Sequence, residues 1–127
     1  MADLKADSEP VVLVVEDEVL LRFCAADSLH EKGFAVVEAA SAEEALAILE
    51  TRDDVRVLFT DIGIAGDING LDLARQVHER WPNIRLVMTS GGPEPDKAEI
   101  PEEGRFIAKP YSPDEITGEI DKLLKKS

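Results

Sequence analysis

Asp61 closes the run Val55-Arg56-Val57-Leu58-Phe59-Thr60, an apolar stretch rich in β-branched and aromatic residues that stops abruptly at a carboxylate. Such a run reads as a strand buried on both faces, with Asp61 where the chain leaves the sheet. Three other stretches end in chemically active groups in the same way. Val11 to Val15 gives way to Glu16-Asp17-Glu18, Ile84 to Thr89 to Ser90, and Arg105 to Ala108 to Lys109-Pro110. Taken alone, Asp61 is explained as a turn residue or a helix cap, Ser90 as a cap and Lys109 as a surface charge. In a parallel sheet, however, all four strand ends face one edge, where open α/β sheets bind ligands.

Three carboxylates brought together at that edge repel one another unless a cation sits among them. Oxygen donors suit a hard divalent ion, and Mg²⁺ is the natural choice. Zinc would call for spaced His or Cys ligands, whereas His30 and His78 are isolated on predicted helices. Lys109, the Ser90 hydroxyl and loop amides would serve a phosphate. The reaction implied is attack of the Asp61 carboxylate on a phosphoryl group, with Mg²⁺ and Lys109 stabilising the charge on its equatorial oxygens. The acyl phosphate would then be hydrolysed by water.

The elements that must position these groups follow from periodicity. After a polar leader over residues 1–10, expected to be flexible, the first strand at Val11 to Val15 leads to a helix from Val19 to Lys32, stopped by Gly33. Its apolar residues Leu20, Phe23, Cys24, Ala26 and Leu29 recur at helical spacing, and Cys24 reads as a small buried hydrophobe. A strand at Phe34 to Glu38 precedes a helix opened by Ser41 and Glu44, a capping-box pair, and running through Thr51. A glycine-rich loop follows Asp61, then a helix from Leu71 to Arg80 whose Leu71, Ala74, Val77 and Trp81 share a face. After the strand at Ile84 to Thr89, Pro93, Pro95 and Pro101 limit the segment Gly91 to Gly104 to a turn or two of helix. The strand Arg105 to Ala108 and a helix from Pro113 to Lys125, striped by Ile116, Ile120, Leu123 and Leu124, complete the chain. This alternation predicts an α/β fold with a five-stranded parallel sheet covered by helices on both faces.

Composition bounds the remaining possibilities. At 127 residues with 44% hydrophobic content, one domain over residues 11–127 is expected, with no output domain. Lys and Arg total 14 against 27 Asp and Glu, a net charge of -13 that disfavours nucleic acid and anionic membranes as partners. A single cysteine, no signal-peptide core and no spanning apolar run make a cytoplasmic location the expectation.

The ordered set of Glu16-Asp17, Asp61, Ser90 and Lys109-Pro110 resembles the receiver domains of two-component response regulators, over Val11 to Lys125. The resemblance is closest to stand-alone, CheY-like receivers. It implies a flavodoxin-like (βα)₅ fold with strand order 2-1-3-4-5 and a shortened or irregular fourth helix here. It further implies phosphoryl transfer to Asp61 from a histidine kinase or phosphotransfer protein in a Mg²⁺-dependent reaction, and signalling by protein docking or within a phosphorelay, as a monomer or weak homodimer. The metal would be held by the acidic pair Glu16 and Asp17, by Asp61 and by the main-chain carbonyl of Gly63. Ser90 and Phe106 would form the switch. Such a domain is not an enzyme toward separate substrates; it catalyses only its own phosphorylation and dephosphorylation.

Two departures from the family pattern stand out. The fourth residue after Asp61 is Ala65 instead of proline, and glycine comes at the ninth position, Gly70, instead of the eighth. A flavin-binding reading fails because Glu16-Asp17-Glu18 would repel the cofactor phosphate. A small-molecule phosphatase would want a second acid near Asp61-Ile62-Gly63. A receiver-shaped binding module that signals without phosphorylation is the alternative, although it would have no need of Asp61, Ser90 and Lys109 together.

Overall fold

The computed structural model describes residues 10–125. The leader expected over residues 1–10 therefore lies, except for Pro10, outside the described residues. In chain order the elements are β1 (Val11–Val15), α1 (Val19–Glu31), β2 (Ala35–Ala39), α2 (Ala42–Thr51), β3 (Val55–Asp61), α3 (Gly70–Arg80), β4 (Arg85–Ser90), a 3₁₀ turn (Lys97–Glu99), β5 (Arg105–Ala108) and α4 (Pro113–Lys125). The five strands form one sheet in the order β2-β1-β3-β4-β5, every pairing parallel. This is the flavodoxin-like order expected from the sequence.

The side chains of β1 show how the sheet divides the core. Val11, Leu13 and Val15 point to the face covered by α2 and α3, whereas Val12 and Val14 point to the face covered by α1 and α4. A strand buried on both sides has no polar alternation, which is why this run is continuously apolar. Between β1 and β3 the register steps from Val11↔Val55 to Val12↔Val57, so Arg56 is skipped and stays exposed at the start of its strand.

The helices α2, α3 and α4 present the faces their spacing predicts. Ser41 Oγ accepts from the Glu44 amide at 3.1 Å, and Glu44 Oε1 reaches one residue further back than the N-cap to accept from the Ala40 amide at 2.7 Å. Ile116, Ile120 and Leu123 of α4 are buried. The predicted fourth helix is a single 3₁₀ turn, because the prolines flanking Asp96 to Ile100 cannot donate helical hydrogen bonds.

The first helix corrects the sequence reading. Its buried residues are Ala25, Ala26 and Leu29, whereas Leu20 is 76% exposed, Phe23 62% and Val19 65%, and Cys24 is exposed as well. The cause is Arg22, whose Nη1 donates to the Glu16 carbonyl at 2.9 Å and whose Nε donates to Glu38 Oε1 at 3.2 Å. A cation that satisfies a main-chain carbonyl beneath the helix takes an inward position, and the large apolar residues beside it are rotated outward.

Candidate functional site

Parallel pairing brings four strand ends to one edge. Glu16 continues β1 by donating its N–H to the Ala39 carbonyl at 3.1 Å, which places its side chain inside the crevice at 4% exposure. Asp61 ends β3 opposite Thr89 and is itself buried. Lys109 follows β5 and is fixed by its N–H to the Ser90 carbonyl at 3.0 Å, ahead of a cis peptide bond to Pro110.

These placements let one ammonium serve two acids. Lys109 Nζ lies 3.0 Å from Asp61 Oδ2 and 3.3 Å from Glu16 Oε1. Burial alone would lower the lysine pKa, but the hydrogen bond to Asp61 and the charges of Asp61 and Glu16 outweigh it and hold the group above its ordinary value. Burial raises the Glu16 carboxyl, with Asp61 adding to the rise, against the opposing Glu18 amide and Lys109. The Glu18 amide donates to Glu16 Oε2 at 3.1 Å.

Glu16, Asp17 and Asp61 each offer a carboxylate oxygen within 4.8 Å of the others. An all-oxygen set, with no His or Cys, matches a hard divalent cation. The same groups are oriented by main chain: Gly63 N–H donates to Asp61 Oδ1 at 3.0 Å, and Ala65 N–H donates to Asp17 Oδ2 at 3.1 Å. The longer loop after β3 is thus tied to the exposed member of the acidic pair. Ile64, at 4% exposure, anchors the same loop in the core beside Ala65.

The expected switch residues occupy less committed positions. Ser90 Oγ accepts from the Gly92 amide at 3.0 Å, which turns the hydroxyl into its own loop. Its neighbour Thr89 has a buried hydroxyl that makes no hydrogen bond among the described residues. Phe106 is half-buried, opposite Met88 in the sheet, and packs with Ile100 against the core.

Sequence reasoning missed several contributors. Tyr111 packs edge-on against Phe59, with ring centroids 5.7 Å apart, and its hydroxyl pKa is raised by burial and by the nearby Glu16 charge. The inward turn of Arg22 and the Ala65 to Asp17 bond depend on backbone geometry that residue type does not announce. A groove of about 1000 Å³ lies at the opposite edge of the sheet, lined by Arg56, Arg80 and Trp81 among others, and has no part in this site.

Comparison with known proteins agrees with this fold. The sequence model described as "Response regulator receiver domain" matches residues 12–121. The chain is 35% identical to the two-component response regulator PhoP of Pseudomonas aeruginosa, covering 91% of this chain and 52% of that one. It is 31% identical to the sensor kinase CckA of Brucella abortus, covering 91% of this chain and 12% of that one. The chain thus spans about half or less of the length of these curated relatives. Among solved structures, the receiver domain of NtrX from Brucella abortus superposes with a TM-score of 0.83 at 32% identity, covering 91% and 99% of the two chains. A receiver protein from Sinorhizobium medicae reaches a TM-score of 0.85 at 24% identity, covering 93% and 96%, a likeness of fold. The matched span, the strand order and the acidic cluster at the strand ends together place this chain in the response regulator receiver family.

Proposed function

We propose that Asp61 accepts a phosphoryl group from a phosphohistidine on a histidine kinase or phosphotransfer protein. The observation that carries this reading is the bridge of Lys109 between Asp61 and Glu16, with Asp17 within metal-binding distance of both. In the transfer, the phosphorus–nitrogen bond breaks as a bond from an Asp61 oxygen to phosphorus forms, and the imidazole leaves with the electron pair. Glu16, Asp17, Asp61 and the Gly63 carbonyl would hold Mg²⁺, which when bound offsets the charge of the carboxylates and of the incoming phosphoryl oxygens. Lys109 supplies a fixed positive charge to the same oxygens, and Gly63 N–H keeps the Asp61 carboxylate oriented. Catalysis is confined to the domain's own phosphorylation and dephosphorylation.

The donor approaches over α1. Val19, Leu20 and Phe23 are exposed on its first turns, directly after Glu16 and Asp17, and give a partner an apolar surface beside the acceptor. After phosphorylation, the Ser90 hydroxyl exchanges the Gly92 amide for the new anion, and Phe106 moves inward, altering the surface around the Gly91 to Gly104 segment. The signal is read by protein docking or passed along a relay.

Intact mass after incubation with Mg²⁺ and a small acyl-phosphate donor tests the reading. A gain of one phosphoryl group, lost in Asp61→Asn and in chelator, is expected. No gain in the wild type, with Mg²⁺ still bound, would favour a module that signals without phosphorylation.

A further inference from the structure

Gly70 is the first residue of α3, and its N–H donates to the Ile62 carbonyl at 2.9 Å, closing the loop that leaves Asp61. A Cβ on Gly70 would fall against the Asp61 carbonyl oxygen and within 2.7 Å of both the Asp61 carbonyl carbon and the Ile62 Cα. All three obstacles are main chain, so no rotamer change relieves the clash. The contact is the tightest among the described glycines: a Cβ on Gly104 would come no nearer than 2.9 Å, to the Ile100 side chain, one on Gly63 would meet only the Asp61 carboxylate at 3.7 Å, and one on Gly118, inside α4, would meet nothing within 4 Å.

Glycine is required at position 70 for space, because its φ lies outside the left-handed region. Glycine is otherwise a poor helix former, because its backbone loses more conformational freedom on folding than that of alanine. Asn69 compensates at the same end, its Oδ1 accepting from the Asp72 amide at 2.8 Å. Helix α3 is thereby capped and seated against the peptide that carries the acceptor.

We propose that Gly70 is a positioning residue for Asp61: the seat of α3 on the Asp61–Ile62 peptide sets the place of the acceptor carboxylate, and the length of the intervening loop does not. The inference deepens the phosphoacceptor reading. Displacing that peptide moves Asp61 Oδ2 relative to Lys109 Nζ, now at 3.0 Å, and moves Gly63, whose amide holds Oδ1. Residues 65–67 of the loop are exposed, beyond Gly63 and before the seat.

The test compares Gly70→Ala, deletion of the exposed Asp67, and Gly118→Ala, each below its own Tm. Mg²⁺ dissociation constants, acyl-phosphate uptake and the NMR shifts of the Asp61 carbonyl carbon and Ile62 amide nitrogen are read. Gly70→Ala is expected to weaken Mg²⁺ binding about tenfold and slow uptake about a hundredfold. It should also shift both resonances. Loss of Asp67 should leave affinity within a factor of about three and both resonances in place, as Gly118→Ala should.

Wild-type affinity and shifts in Gly70→Ala would overturn the inference. So would loss of Mg²⁺ affinity and displaced Asp61 and Ile62 resonances in the Asp67 deletion, which decides the matter alone where Gly70→Ala does not fold. A wild-type protein that takes up no phosphoryl group would count against Asp61 as acceptor while leaving the resonance comparison to judge Gly70.

Discussion

Lys109 and Asp61 share a hydrogen bond of 3.0 Å across the end of β4, which separates their strands, and the same ammonium reaches Glu16 at 3.3 Å. The lysine thus occupies, in part, the electrostatic role a divalent cation would take among the three acids. Replacing it with methionine keeps most of the stem and removes the charge. Lys109→Met should bind Mg²⁺ more tightly, since a competing cation is gone, yet take up phosphoryl groups roughly a hundredfold to a thousandfold more slowly. Titration of Mg²⁺ and timed mass spectrometry give the two numbers, and weakened Mg²⁺ binding would contradict the first.

Glu16 gives a prediction in pH. Its folded pKa is raised above the ordinary 4.5, chiefly by burial, so folding disfavours its ionised form. Its contribution to stability is therefore greatest below that ordinary value and falls as pH rises through the higher folded pKa. In chelator, the Tm of the wild type should drop relative to that of Glu16→Gln as pH rises from about 4.5 toward neutrality. Carboxylates remote from Glu16 are common to both proteins and cancel in the difference. Added Mg²⁺ should shrink the gap by stabilising the ionised form in the wild type. A Tm difference that does not change with pH would mean that Glu16 is ionised as easily in the fold as outside it.

That the site's groups meet was legible in the sequence because each follows an apolar run. Asp61, Lys109 and the Glu16-Asp17 pair are strand-end residues, and parallel pairing puts strand ends together whatever the loops do. Contacts made through main chain were not legible. The Ala65 amide on Asp17 and the close seat of Gly70 depend on how a nine-residue segment folds back, and residue types there say only that a loop is present. Helix α1 was legible in extent but not in phase. Apolar residues at 19, 20, 23 and 24 compete with 25, 26 and 29 for the inward face, and hydrophobicity alone favours neither set.

The phase of α1 makes a sharp stability contrast between two leucines of one helix. Leu29 is fully buried and Leu20 is 76% exposed. Leu29→Ala should destabilise the fold by about 2–5 kcal/mol, through lost transfer energy and the cavity left between α1, α4 and the sheet. Leu20→Ala should stay within about 0.5 kcal/mol of wild type. Denaturant unfolding of both variants reads the difference directly. Equal losses would return Leu20 to the core.

The exposed face of α1 separates chemistry from docking. Val19, Leu20 and Phe23 hold nothing together inside the domain, so their exposure is a cost in solubility that a partner surface would explain. Phe23→Ser should leave folding, Mg²⁺ binding and labelling by a small acyl phosphate unchanged, because none of these needs a protein bound over α1. Transfer from a phosphohistidine donor protein should slow about tenfold or more, the loss expected when one aromatic anchor of about 1–2 kcal/mol leaves an interface. In the proposed reaction both donors would act on the Asp61 carboxylate, so their ratio isolates docking from reactivity. An equal fall with both donors would mean that Phe23 acts through the geometry of the site, and an unchanged ratio with full activity would move the donor's footprint to another face.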